Sequence, residues 1–222
     1  MKVNASVKRP YRSPLREAHT QTTRLAVIEA AARLFADRGY VATSMDDIAK
    51  EAGVSRATVF TAVGGKAAVL KAAYDVAIVG DDDPVPLPQR PWARAVRDEP
   101  DPGRMVDGYA HMITEVSGRV ASVYEAMRGA AATDGEVRAL WEGMRSERRG
   151  GSAGFIGFLV ARGALQVGLD RKRAADVVWV LNDPGLYHLL VHDRGWSPEQ
   201  FQLWLANTLK SQLLGPRRSR PA

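Results

Sequence analysis

Residues 43–66 read TSMDDIAKEAGVSRATVFTAVGGK, and this stretch decides the fold. Ser44 is a cap for a short helix that has Asp46 and Asp47 in its positive first turn. Met45, Ile48 and Ala49 form the inner face of that helix, and Gly53 ends it. Ser55 caps a second short helix, with Val54, Val59 and Val63 turned inward, and Gly64-Gly65 closes it. Two capped helices around a tight Ala52-Gly53-Val54 turn make the helix-turn-helix pattern. Such a pair projects the first turn of its second helix into the major groove of DNA. The exposed positions there are Arg56, Ala57, Phe60 and Thr61. Arginine reads guanine bidentately, and small or apolar side chains touch the thymine methyl.

On the N-terminal side, Leu25, Ile28, Ala32 and Phe35 recur at helical spacing, and Gly39 stands where a C-terminal cap belongs. On the C-terminal side a further helix spans Lys66 to Val79, burying Val69, Leu70, Ala73 and Val76 or Ala77. Residues 81–103 then carry prolines at 84, 86, 88, 91, 100 and 102, which excludes a long helix and predicts a loop or chain of short turns. Trp92 is placed to pin that loop to the second domain. Helical spacing resumes over Arg104–Met127, Asp134–Ala161 and Arg171–His192, the last interrupted near Pro184. The final helix is the best marked, with Ser197 as cap, Pro198 at the first helical position, and Phe201, Trp204, Leu205, Thr208 and Leu209 on one face. No strand is legible.

The expected fold is therefore all-α: an N-terminal three-helix helix-turn-helix DNA-binding domain joined to a C-terminal helical domain. The expected boundaries are a flexible basic arm at 1–20, the DNA-binding domain at 21–80, a Pro-rich loop at 81–103, the C-terminal helical domain at 104–215, and a basic tail at 216–222.

The charge distribution agrees. The chain carries a formal +6. Residues 1–80 hold twelve Lys and Arg against seven Asp and Glu, an excess of five that leaves one for the rest. A basic excess confined to one segment suits a polyanion partner, although a solvated tail reads the same way. With no cysteine, disulfides and thiolate metal sites are excluded. The absence of a long apolar run and of a secretory pattern makes the cytoplasm the expected location.

About residues 22–79, with EAAARLFADRGY, DIAKEAGVS, GGK and KAAYD in them, resemble the N-terminal domain of TetR-family regulators throughout. The C-terminal run GWSPEQFQLWLANTLKSQLL is similar to a segment found in actinobacterial members. The resemblance implies a homodimer that binds a near-palindromic double-stranded operator, uses its C-terminal helical domain at 104–215 as a regulatory, ligand-binding and dimerisation domain, has no cofactor, and is most simply a repressor released by a small ligand. It also implies phosphate contacts from Ser55, Thr58, Thr61 and Lys66, base contacts from Arg56, Ala57 and Phe60, and a place for Thr43 and Ser44 beside the DNA. One departure stands out. Where many members have two aromatics, a histidine and a phenylalanine, this chain has Phe60-Thr61-Ala62-Val63, so Ala62 forgoes a phosphate-contacting histidine. Each assignment has a structural alternative: Ser44 and Ser55 as caps only, Arg56 paired with Glu51, Phe60 buried.

For the second domain, Tyr109, Met112, Trp141, Met144, Phe158 and Trp179 are the expected ligand-lining residues, and their apolar character points to a mainly apolar or aromatic ligand. The same stripe also reads as ordinary core. Leu186, Leu190, Phe201, Trp204, Leu205 and Leu209 are the expected dimer interface. Two rival readings remain: a helical ligand-binding or scaffolding dimer that never meets DNA, and a metal-dependent enzyme built on His188 and His192. That pair has the i, i+4 spacing of zinc ligands but lacks the neighbouring acid of a zinc-protease motif. No metal is expected.

Overall fold

The computed structural model describes residues 14–215 except residue 84. It is built of helices, with no strand beyond an isolated Leu165–Leu214 bridge among the described residues. Helix α1 spans Pro14–Ala42 and is broken at Gly39, whose φ of 75° lies where side chains are disfavoured. Helices α2 (Met45–Glu51), α3 (Arg56–Ala62) and α4 (Lys66–Val79) come next. Ser44 caps α2 in a reciprocal box with Asp47, and Ser55 caps α3 through the Thr58 amide, satisfying amides that a helix start leaves open. The turn between them holds Gly53 at φ 68°. Among the described residues, no helix is long and apolar enough to cross a membrane.

Two expectations need correction. Helix α1 begins at Pro14, so residues 14–20 are part of it and not of an arm; residues 1–13, like the tail at 216–222, lie outside the described residues. The Pro-rich segment is also no mere loop. It makes a 3-10 turn at Leu87–Gln89 and a helix α5 at Pro91–Asp98. Pro91 sits at the start of α5, where its missing N–H costs nothing and its fixed φ suits the helix.

Beyond it, α6 (Pro102–Ala130) and α7 (Gly135–Ala161) are long and continuous, α7 running unbroken through Gly150, Gly151 and Gly154. Helix α8 (Arg171–Leu181), the short α9 (Pro184–Tyr187) with a π-helical turn over His188–Asp193, and α10 (Pro198–Leu213) complete the chain.

Helix α6, about 43 Å long at 1.5 Å per residue, is the spine. Its C-terminal half joins α1 and α4 in one apolar core, where Val120, Val123, Tyr124 and Met127 meet Val27, Phe35, Val69 and Leu70. Its N-terminal half belongs to a second core with α5, α7, α8 and α10, in which Met105, Val106 and Tyr109 meet Phe155, Val178, Phe201 and Leu205. The division between cores therefore falls within α6 and not at residues 81–103.

Candidate nucleic-acid interface and regulatory cleft

Helix α3 turns Val59 fully inward and leaves Arg56, Ala57, Phe60 and Thr61 exposed, positions that share one face of a helix. Phe60, a large apolar ring, is 47% exposed. The Arg56 guanidinium lies 5.8 Å from the Phe60 ring centre and donates to Asp46 at 3.1 Å. Both ends of that ion pair are more than half exposed, so it is worth under about 1 kcal/mol and leaves the arginine free to exchange partners. Glu51, the alternative partner, pairs with Arg33 instead. Ser55 Oγ accepts from the Thr58 amide at 3.1 Å and lies 2.8 Å from the Thr58 hydroxyl, while the Thr61 hydroxyl donates to the Ala57 carbonyl.

Two expected contacts, Thr43 and Lys66, and one residue of the basic excess, Arg24, are altered. Thr43 is 1% exposed, and its hydroxyl donates to the carbonyls of Gly39 (2.8 Å) and Leu34 (3.2 Å) at the end of α1. It is a structural cap for orphan carbonyls and cannot reach DNA. Arg24, counted in the basic excess, is tied to Asp82 (2.9 Å) and to the Ala62 carbonyl that ends α3. Lys66 begins α4 as expected, but its ammonium rests 4.2 Å over the Tyr40 ring, and burial lowers its pKa. Tyr40 in turn donates to Asp134 at 3.1 Å, and burial together with that carboxylate raises its pKa to about 12. Asp134 caps α7 through the amides of Glu136 and Val137, and these bonds hold its own pKa low. The Lys66–Tyr40–Asp134 stack thus joins the reading head to the regulatory domain, a joint that no local motif signals.

The expected ligand-lining residues do not converge. Tyr109 is buried, stacked on Phe155 at 3.9 Å, and its hydroxyl accepts from Asn182 at 2.8 Å; burial raises its pKa to about 12. Met144 is buried in the first core, Trp141 packs on Tyr124 at 4.8 Å, and Phe158 packs against the second core. Trp179 lies among the guanidinium groups of Arg145, Arg148 and Arg149, 5.0–5.2 Å from its ring centre. Only Met112 of the six lines the cleft bordered by α4, α5 and α6. That cleft, about 600 Å³, lies between the end of α4, α5 and the N-terminal half of α6, and Val79, Trp92, Val96, Glu115 and Arg119 share its wall. Sequence periodicity found the apolar stripe of α6 but could not separate its core side from its cleft side.

Arg119 is the residue that sequence reasoning missed. It donates to the carbonyls of Ala77 (2.8 Å) and Ile78 (2.9 Å), closing the last turn of α4 while its side chain also borders the cleft. A second unforeseen network lies deeper. Arg148, 10% exposed, donates to Asp183 (2.6 Å) and Asn182 (2.8 Å), and Tyr124 donates to the same Asp183 (2.9 Å).

Three of the six expected interface residues also need correction. Phe201, Leu205 and Leu209 are fully buried within the single chain, so they close its own core. Leu186, Leu190 and Trp204 are only partly covered, and the exposed apolar residues nearby are Val180, Leu189 and Leu203. His188 and His192 do come together, their ring centres 5.0 Å apart with Asp193 3.7 Å from His188, but no cluster of three or more potential metal ligands exists among the described residues.

A capped helix pair with one bare reading face, on a helical body that carries a cleft, defines a helix-turn-helix transcriptional regulator. Residues 27–73 match the family model of bacterial regulatory proteins, tetR family. Solved structures extend the likeness of fold over most of the chain. A putative TetR-family regulator from Rhodococcus sp. is 20% identical, with a TM-score of 0.65 over 86% of this chain and 97% of its own. NalD, the secondary repressor of the MexAB-OprM multidrug efflux pump in Pseudomonas aeruginosa, is 18% identical with a TM-score of 0.65 over 88% and 98%. FadR from Bacillus subtilis, solved with stearoyl-CoA, is 15% identical with a TM-score of 0.65 over 83% and 96%. No curated protein matches by sequence.

Proposed function

We propose that this regulator is a homodimeric repressor that leaves its operator when a small molecule enters the cleft between α4, α5 and α6. The observation that carries the DNA-binding half is the bare face of α3, where Arg56, Ala57 and Phe60 stand exposed beside the two capped helix starts. Arg56 leaves its weak pair with Asp46 for a guanine edge, and Phe60 and Ala57 meet thymine methyls. Ser44, Ser55 and Thr58 at the helix starts, with Thr61 later on α3 and Lys66 at the start of α4, serve the phosphates. A single short helix gives little affinity, so two copies read half-sites about 34–36 Å apart.

The release half rests on Arg119. It touches the cleft and holds the last carbonyls of α4, and α4 shares a core with the reading head. A ligand that binds the DNA-incompetent arrangement more tightly shifts the population by that difference alone. NalD is a repressor and FadR was solved with a bound acyl-CoA, which supports the same arrangement here.

The test is selection of bound DNA from a random pool with purified protein. A near-palindromic site recovered by the wild type, and lost when Arg56 and Phe60 are both replaced by alanine, is the expected result. Recovery of no enriched sequence, or of the same site by the double variant, would return the chain to the class of helical dimers without DNA readout.

A further inference from the structure

The cleft takes its chemistry from what its walls leave unmatched. Val79, Trp92, Val96 and Met112 supply an apolar and aromatic lining. Of the charged groups there, Arg104 is matched by Glu99 at 2.9 Å. Arg119 gives two of its donors to the last carbonyls of α4, where the negative end of the helix dipole offsets its charge. The imidazole of His111 is engaged with Gln202 at 3.0 Å. Glu115 alone has no hydrogen bond or ion pair among the described residues.

An aromatic face and a soft thioether beside an unpaired carboxylate form the surface that attracts a positive charge carried on an apolar body. The ring quadrupole and the carboxylate attract the charge together, and the apolar walls cover the remainder. A ligand in a cleft of about 600 Å³ is of ordinary drug size. We infer that the regulatory cleft between α4, α5 and α6 binds an amphipathic organic cation, with the Glu115 carboxylate and the Trp92 ring as its charge-reading groups. This inference rests on the reading of the cleft as the regulatory site and gives that site its ligand class. It also amends the expectation of a mainly apolar ligand, because the lining carries charge that no side chain spacing announces.

Tetraphenylphosphonium and tetraphenylborate test it, since they share shape and apolar surface and differ in the sign of their charge. Calorimetric titration of the full chain should show the phosphonium binding at least about tenfold more tightly than the borate. The chain as a whole is basic, so an unspecific preference would run the other way. Glu115→Gln should weaken the phosphonium about tenfold and leave the borate unchanged or tighter; the side chain is exposed, so the fold does not depend on it. Trp92→Leu should weaken the cation as well. The inference is overturned by equal or tighter binding of the borate, by no binding of the phosphonium up to its solubility, or by a Glu115→Gln variant that binds both probes like the parent. Operator binding by the unliganded chain is measured separately. Loss of that binding would sink the regulator reading and leave the charge preference of the cleft standing, and the reverse outcome would do the opposite.

Discussion

At the scale of single residues, small polar side chains next to DNA-facing helices divide by where their hydroxyls are spent. Thr43 spends its hydroxyl on Leu34 and Gly39, inside the fold. Thr43→Val should therefore lower stability by about 1–2 kcal/mol, the cost of leaving buried carbonyls unmet, read as a lower urea midpoint. The salt dependence of operator binding should be unchanged; a flatter salt slope in this variant would put Thr43 back among the phosphate contacts. Arg56 shows the opposite behaviour, being more than half exposed in a weak pair. Arg56→Ala should leave thermal stability within about 0.5 kcal/mol, since surface changes cost little. Binding to the selected operator should fall by about 1–3 kcal/mol, with relaxed preference at one position per half-site. Equal affinity across sites mutated at that position, in parent and variant alike, would move the reading role elsewhere on α3.

At the scale of elements, two side chains hold helix ends that connect the domains. Asp134 starts α7, accepts from Tyr40 of α1 and faces Lys66 of α4. Its backbone hydrogen bonds to Val137, with the bonds to Tyr40 and Glu136, hold its folded pKa below the ordinary carboxylate value of 3.8. The stabilisation it brings is thus present above that value and is lost as pH falls through the lower, folded pKa. Acid denaturation of Asp134→Asn should accordingly be less steep below about pH 4 than that of the wild type, with the difference vanishing once Asp134 itself is protonated. Parallel curves for the two proteins would show that the joint contributes nothing to acid sensitivity. Arg119 closes the other end of the linkage, at the last turn of α4. Arg119→Ala should retain operator binding by the unliganded protein, because no part of α3 touches it, yet blunt release by any cleft ligand. Coupling is reciprocal, so the variant's ligand affinity should differ little with and without operator. A wild-type difference retained in the variant would assign the coupling to another path.

At the scale of the whole molecule, α6 makes the two domains mechanically one, since its halves belong to different cores. The faces left over belong to α8, α10 and the turn between them, where Val180, Leu189 and Leu203 are about half exposed or more. A second copy covering these residues would bury apolar surface at roughly 25 cal/mol per Å², and closing the two-fold would present the same patch to itself. Leu189→Lys combined with Leu203→Glu should give a folded monomer, read by sedimentation and circular dichroism, with far weaker operator binding. Leu209→Lys is the contrasting variant: Leu209 is fully buried in the second core, so a charge there should unfold the chain. A wild type that sediments as a monomer at micromolar concentration would end both the dimer proposal and the palindromic operator.

What the sequence determined by itself was local and periodic. The caps Ser44, Ser55 and Ser197, the glycine that must take φ 68° at residue 53, and the inward Val59 arise from interactions within one or two turns, so their signals sit side by side in the chain. The reading head was legible for that reason, including the exposure of Arg56 and Phe60. Proline content misled at residues 91–98, because a proline that opens a helix and one that breaks it look alike until the partner helix is known. Only the tertiary structure decided which apolar faces were spent. Phe201, Leu205 and Leu209 have the composition of an interface but are consumed by the chain's own core, and Tyr109 is core where Met112, on the same helix, is cleft. The same holds for Arg119 on α4, Arg148 on Asp183, and Tyr40 on Asp134, pairs separated by tens of residues. A helical repeat specifies that a face is buried; the partner that buries it is chosen by packing between elements, which leaves no periodic trace in the chain.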